Sequence, residues 1–136
     1  MKAVFADSVY WIARALPNDQ WHLAATKARD ALGGILIVTT DEVLSEFLTL
    51  LGKCGPEVRG TAVKMVKAIL GKPDVRVLPQ TRDGFLKGLE MYAARPDKGY
   101  SLTDCISMNA MKENQIHQVL TCDHHFEQEG FEILMK

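Results

Sequence analysis

The feature that most constrains this chain is the alternation of short apolar runs with longer stretches of helical periodicity. Residues 2–6, 35–39, 75–78, 119–121 and 131–134 are the short runs, each bounded by acids, glycine or polar turn residues. Parallel neighbours need crossover connections, and a helix between successive strands supplies them. The pattern therefore predicts an α/β fold with a mostly parallel central sheet of about five strands, covered by helices on both faces. Helices are expected over Ser8–Leu16, from an Asp19 cap to Gly33-Gly34, from Thr40 or Asp41 to about Lys53, and over Glu57–Leu70. Two more are expected over Thr81–Ala94 and from Ser101 to Glu113. On the fourth, Val63, Val66, Ile69 and Leu70 are expected to share one side. On the fifth, Phe85, Leu89 and Tyr92 fall at helical spacing.

At 136 residues the chain suits a single domain, 1–136, with one core. Its 47% hydrophobic and 24% charged residues are those of a globular protein. Uncharged stretches fall short of a membrane span, and Met1-Lys2 leads directly into a strand-like run, so a cytoplasmic protein is expected. Cys54, Cys105 and Cys122 are scattered, with no Cys-x-x-Cys pair, which favours free thiols over a disulfide framework or a zinc site. A net charge of −1 gives no bulk basic face of the kind double-stranded DNA binders carry.

Four acids occupy unusual positions. Asp7 ends the first apolar run, Glu46 lies inside an apolar helical pattern, Asp104 opens a late helix, and Asp123 follows the last strong strand. In open parallel sheets the functional crevice lies beyond the carboxyl ends of the strands, which is where Asp7 and Asp123 fall. Each acid has an ordinary alternative. Asp7 could be an N-cap, and Asp104 completes a Ser101-x-x-Asp104 capping box. Asp123 could serve a turn. Yet Asp104 is the one charged residue between Tyr100 and Met111, and Glu46 borders the arc of Val43, Leu44, Phe47, Leu48, Leu50 and Leu51 while Glu42 lies nearly opposite it. Acids that converge repel unless a cation holds them, and oxygen donors suit Mg²⁺ or Mn²⁺. Ser8, Thr103 and Thr121 flank the acids, as supporting hydroxyls for a metal-bound water or a phosphate or, equally, as local caps. His124 and His125 are adjacent, point to opposite sides of an extended chain, and are not expected to bind one ion together.

With these residues in view, the chain resembles PIN-domain ribonucleases, in particular the toxin component of VapBC-type toxin–antitoxin modules. The resemblance runs the full length. It rests on Val4-Phe-Ala-Asp7-Ser8, on Glu46, on Leu102-Thr-Asp104, and above all on Leu120-Thr-Cys-Asp123-His-His125-Phe-Glu-Gln-Glu-Gly130-Phe. It implies a three-layer α/β/α fold, one or two Mg²⁺ or Mn²⁺ ions, and endonucleolytic cleavage of RNA. It also implies that Asp7, Glu46, Asp104 and Asp123 are the catalytic and metal-site acids, that Ser8 and Thr121 support them, that the protein dimerises, and that an antitoxin covers the site. RNA approaching an acidic centre calls for nearby cations, and Arg14, Arg95, Lys98, Lys112 and Lys53 are the candidates.

Rival readings fare worse. A haloacid-dehalogenase-type phosphatase needs a second acid two residues after the first, where this chain has Val9. A phospho-accepting receiver domain wants an Asp at the end of a central strand, where this chain has threonine. A PIN fold used as a binding module with little nuclease activity is the remaining alternative, separable by a metal-dependent RNA cleavage assay.

Overall fold

The computed structural model describes residues 2–136. In chain order its elements are β1 (Ala3–Ala6), α1 (Ser8–Ala15), α2 (His22–Leu32), β2 (Leu36–Thr40), α3 (Asp41–Leu51), α4 (Pro56–Gly71), β3 (Val75–Leu78), α5 (Arg82–Ala94), α6 (Leu102–Glu113), β4 (Gln118–Leu120), α7 (His125–Gln128) and β5 (Glu132–Ile133). The sheet has five strands in the order β3-β2-β1-β4-β5, and every pairing is parallel. Helices flank it in a three-layer α/β/α arrangement.

Strand composition explains the sheet's position. Val4, Phe5 and Ala6 of β1 and Val119 and Leu120 of β4 are fully buried, as central parallel strands covered on both faces must be. The topology then defines the site. From β1 the chain builds outward through β2 and β3 on one side, and later returns to lay β4 against the other side of β1. The reversal lies between β1 and β4, with Ala6 level with Leu120, so whatever follows these two residues faces one crevice.

Several boundaries and faces differ from the sequence reading. The second helix starts at His22 with Trp21 at its N-cap, and Asp19 instead accepts the Trp21 N–H in the preceding turn at 2.9 Å. β2 runs one residue further than expected, to Thr40, whose hydroxyl also caps α3 by accepting the Val43 N–H at 3.0 Å. On α4 the inward stripe is Ala62, Val66 and Ile69, whereas Val63 and Leu70 are exposed. Positions 63 and 70 lie two turns apart on the flank of that stripe, so both turn outward together.

The α5 helix is the larger departure. Phe85, Leu89 and Tyr92 share a face as expected, but that face is exposed, and the helix buries Gly88 and Met91 instead. Gly88 lets the backbone of α5 lie close against α6. A Cβ at position 88 would stand 2.6 Å from Ile106 Cγ1. A glycine carries no hydrophobic signal, so periodicity alone selects the wrong face.

Candidate active site

β1 and β4 deliver their following residues side by side, and the Asp7 N–H donates to the Leu120 carbonyl at 3.3 Å. Asp7 occupies the N-cap position of α1, but its carboxylate makes no capping bond. Instead Oδ2 accepts from the Thr121 hydroxyl at 3.1 Å, across 114 residues of sequence. The simple capping role is thereby excluded for Asp7. Thr121 Oγ1 also accepts the Asp123 N–H at 3.1 Å, so one buried hydroxyl orients both strand-end acids.

Glu46 reaches the same crevice from α3. It is half-buried, and its Oε1 accepts a hydrogen bond from Ser8 Oγ. Asp104 arrives from α6, where the capping box closes in both directions: Asp104 N–H to Ser101 Oγ at 3.0 Å and Ser101 N–H to Asp104 Oδ2 at 3.1 Å. Capping accounts for the position of Asp104, yet the residue is only 9% exposed and faces further acids.

The electrostatics record the crowding. Burial pushes the Asp7 carboxyl up to about 7 from 3.8, and the charges of Asp104 and Glu46 push the same way against the Ser8 N–H and the Thr121 hydroxyl. Burial also raises Asp104, with Asp123 and Glu46 adding to it and Ser101 opposing. Four carboxylates from β1, α3, α6 and the segment after β4 thus feel one another within a single crevice.

A fifth group joins them that sequence reasoning left out. His125 Nδ1 lies 3.3 Å from Asp123 Oδ1 and 3.7 Å from Asp104 Oδ2. His124, by contrast, is exposed and engages Glu127. The chain here is helical and not extended as expected, yet the two rings still diverge, and one of them faces the acids. The signal available was the start of a helical turn at position 125, which fixes which of the two rings turns inward.

The predicted cations are differently placed. Arg95 donates from Nε and Nη2 to both oxygens of Glu129 at 3.0 and 3.2 Å, and Lys112 Nζ lies 3.6 Å from the same carboxylate. Tyr100 also donates to Glu129, at 2.9 Å. These cations fasten the Arg95–Gly99 loop to the tail and are not standing open at a mouth. Arg14 lies at the far end of α1 from Ser8 and donates to Thr26 at 3.3 Å. Lys98 sits half-buried in its loop. Thr103 lines a separate cleft between α5 and α6 with Glu42, Thr81 and Phe85.

The fold matches a known class. The PIN domain profile covers residues 5–132, and the chain belongs to the PIN domain family. Among solved structures it is similar to VapC20 of Mycobacterium tuberculosis, described as a sarcin-ricin loop cleaving toxin. The two share a TM-score of 0.84 and 25% identity over 94% of this chain and 95% of that one. No curated protein sequence matches the chain.

Proposed function

We propose that this chain is an endoribonuclease toxin whose cleavage of RNA phosphodiester bonds depends on Mg²⁺ or Mn²⁺. The observation that carries the reading is the convergence of Asp7, Glu46, Asp104 and Asp123 beyond the carboxyl ends of β1 and β4. Family membership and the likeness to a toxin that cuts RNA support it.

The residues fit a divalent cation. Carboxylate oxygens are the donors that hard cations select. Asp7 is nine-tenths buried, is not spent on capping, and has one hydroxyl donor where a free carboxylate would recruit several waters. Asp7, Glu46, Asp104 and Asp123 would hold the ion, which when bound supplies an activated water and neutralises charge on the phosphate being cleaved. The protein's own part is positional. Thr121 holds Asp7 and Asp123 in register, Ser8 orients Glu46, and Ser101 orients Asp104. Asp7 must shed its proton for full donor strength, which its burial resists and a cation favours.

In this reading no side chain forms a covalent intermediate. The protein works in the cytoplasm, dimerises, and is silenced by a cognate antitoxin laid over the crevice. Lys98 and the rim around Arg95 and Lys112, whose charges are shared with Glu129, contact RNA. Among the described residues no helix is long and apolar enough to cross a membrane.

The test is incubation of the purified, antitoxin-free chain with total RNA and Mg²⁺ or Mn²⁺, wild type beside Asp104→Asn. Asparagine keeps an oxygen for the Ser101 N–H, so the helix cap survives. Discrete fragments from wild type alone, abolished by EDTA, are expected. Equal behaviour of the two proteins across metals and RNA classes would leave a PIN fold that binds without cutting.

A further inference from the structure

We propose that His125, through Nδ1, is a direct protein ligand of the divalent ion beside Asp104 and Asp123, and that this nitrogen makes the site prefer Mn²⁺ over Mg²⁺. The inference rests on the metal-dependent reading above and deepens it.

Three observations place the ring. One donor atom from each of Asp104, Asp123 and His125 lies within 4.8 Å of the other two. Cis ligands of an octahedral ion with bonds of about 2.1 Å stand about 3 Å apart, so separations of 3.3 and 3.7 Å need only a small contraction. Second, Nδ1 is buried and has no hydrogen-bond partner, although the side chain as a whole is 34% exposed. The inaccessible part of the ring is therefore the nitrogen aimed at the carboxylates. Buried polar atoms are seldom left unmatched, and a ligand is one of the ordinary explanations.

Third, the ring is held. The His125 N–H donates to Asp123 Oδ1 at 2.9 Å, which ties backbone and acid together at the start of α7. The Tyr100 ring meets the imidazole edge-on, with centroids 5.3 Å apart and planes at 65°. Tyr100 is in turn fixed by its hydroxyl on Glu129. A ligand positioned before the ion arrives binds without first having to be ordered.

The chemistry sets the preference. Carboxylate and water suit Mg²⁺ and Mn²⁺ alike, but Mn²⁺, as a first-row transition ion, gains from an added imidazole nitrogen where Mg²⁺ gains little.

The decisive measurement is pulsed electron paramagnetic resonance on the wild-type chain loaded with Mn²⁺, which reads nitrogen bound directly to manganese. Nitrogen coupling is expected, to be lost in His125→Ala and retained in His124→Ala. Mn²⁺ titrations with Mg²⁺ competition should show His125→Ala weakening Mn²⁺ by about tenfold or more while Mg²⁺ changes little. Circular dichroism reports whether the variants fold, and the wild-type spectrum stands without them. Mn²⁺ bound without nitrogen coupling, or equal losses for the two ions, would overturn the role of His125 and leave the nuclease reading intact. Failure of the wild type to bind either ion would overturn both.

Discussion

At the scale of single residues, Asp7 is the group whose chemistry is most altered by the fold. Its carboxyl is raised from 3.8 to about 7, so between those values the folded chain holds a proton that the unfolded chain has released. The contribution of Asp7 to stability is therefore full below pH 3.8 and is lost as pH rises through about 7. Without metal, Asp7→Asn should raise the melting temperature at pH 8 and change it little at pH 4, measured by thermal melts at both values. In wild type, added Mn²⁺ should stabilise strongly at pH 8 and weakly at pH 5, because binding must displace that proton. Asp7→Asn should abolish RNA cleavage at either pH. The acid itself was legible in the sequence as the end of a short apolar run. That its side chain declines the cap and turns to Thr121 was not, since the partner lies 114 residues away. Glu129 was missed for a related reason: one acid in a polar tail gives no sign that Arg95, Lys112 and Tyr100 will gather on it.

At the scale of elements, the sequence located the five strands and the six longer helices because period and punctuation are local properties, whereas the four-residue α7 is too short to show a period. It misjudged faces where the packing atom is absent. Gly88 shows this best, since α5 approaches α6 through a position with no side chain while its large apolar residues look outward. Gly88→Ala should destabilise the protein by about 1–3 kcal/mol through forced overpacking, read as a shift of the urea midpoint with unchanged slope. A nearly unchanged midpoint would mean that α5 slides on α6 without cost. Thr40→Ala should cost about 1 kcal/mol, the loss of the Val43 cap at the start of the helix that carries Glu46. Since α3 also places Glu46, part of that loss should appear as weaker metal binding. The exposed apolar side of α5, with Phe85, Leu89 and Tyr92, has the composition a partner surface requires.

At the scale of the whole molecule, two acids pull pH dependence in opposite directions. Glu129 is held below its usual carboxylate range, first by the hydrogen-bonded Arg95 guanidinium and then by the Tyr100 hydroxyl and the Lys112 charge, against its partial burial. Its contribution is present above the ordinary value of 4.5 and is lost as pH falls through the lowered folded value. Glu129→Gln should therefore flatten the acid limb of the stability profile while leaving in place the alkaline limb, to which the raised Asp7 contributes. An acid limb unchanged by the substitution would show that other carboxylates control it. Glu129 also links the Arg95–Gly99 loop to α6, α7 and Tyr100, so the variant should loosen the ring against which His125 rests.

The chain order of the sheet has a consequence for the timing of synthesis. β1 waits beside an open edge while β2 and β3 are laid down on its other side, and Asp7 lacks Thr121 and Asp123 until β4 docks. A nascent chain that has emerged as far as α6 already carries Asp7, Glu46 and Asp104, yet holds no finished crevice. Under the proposed function, this order would hold RNA cleavage back on the ribosome until the segment 118–133 has been made and folded.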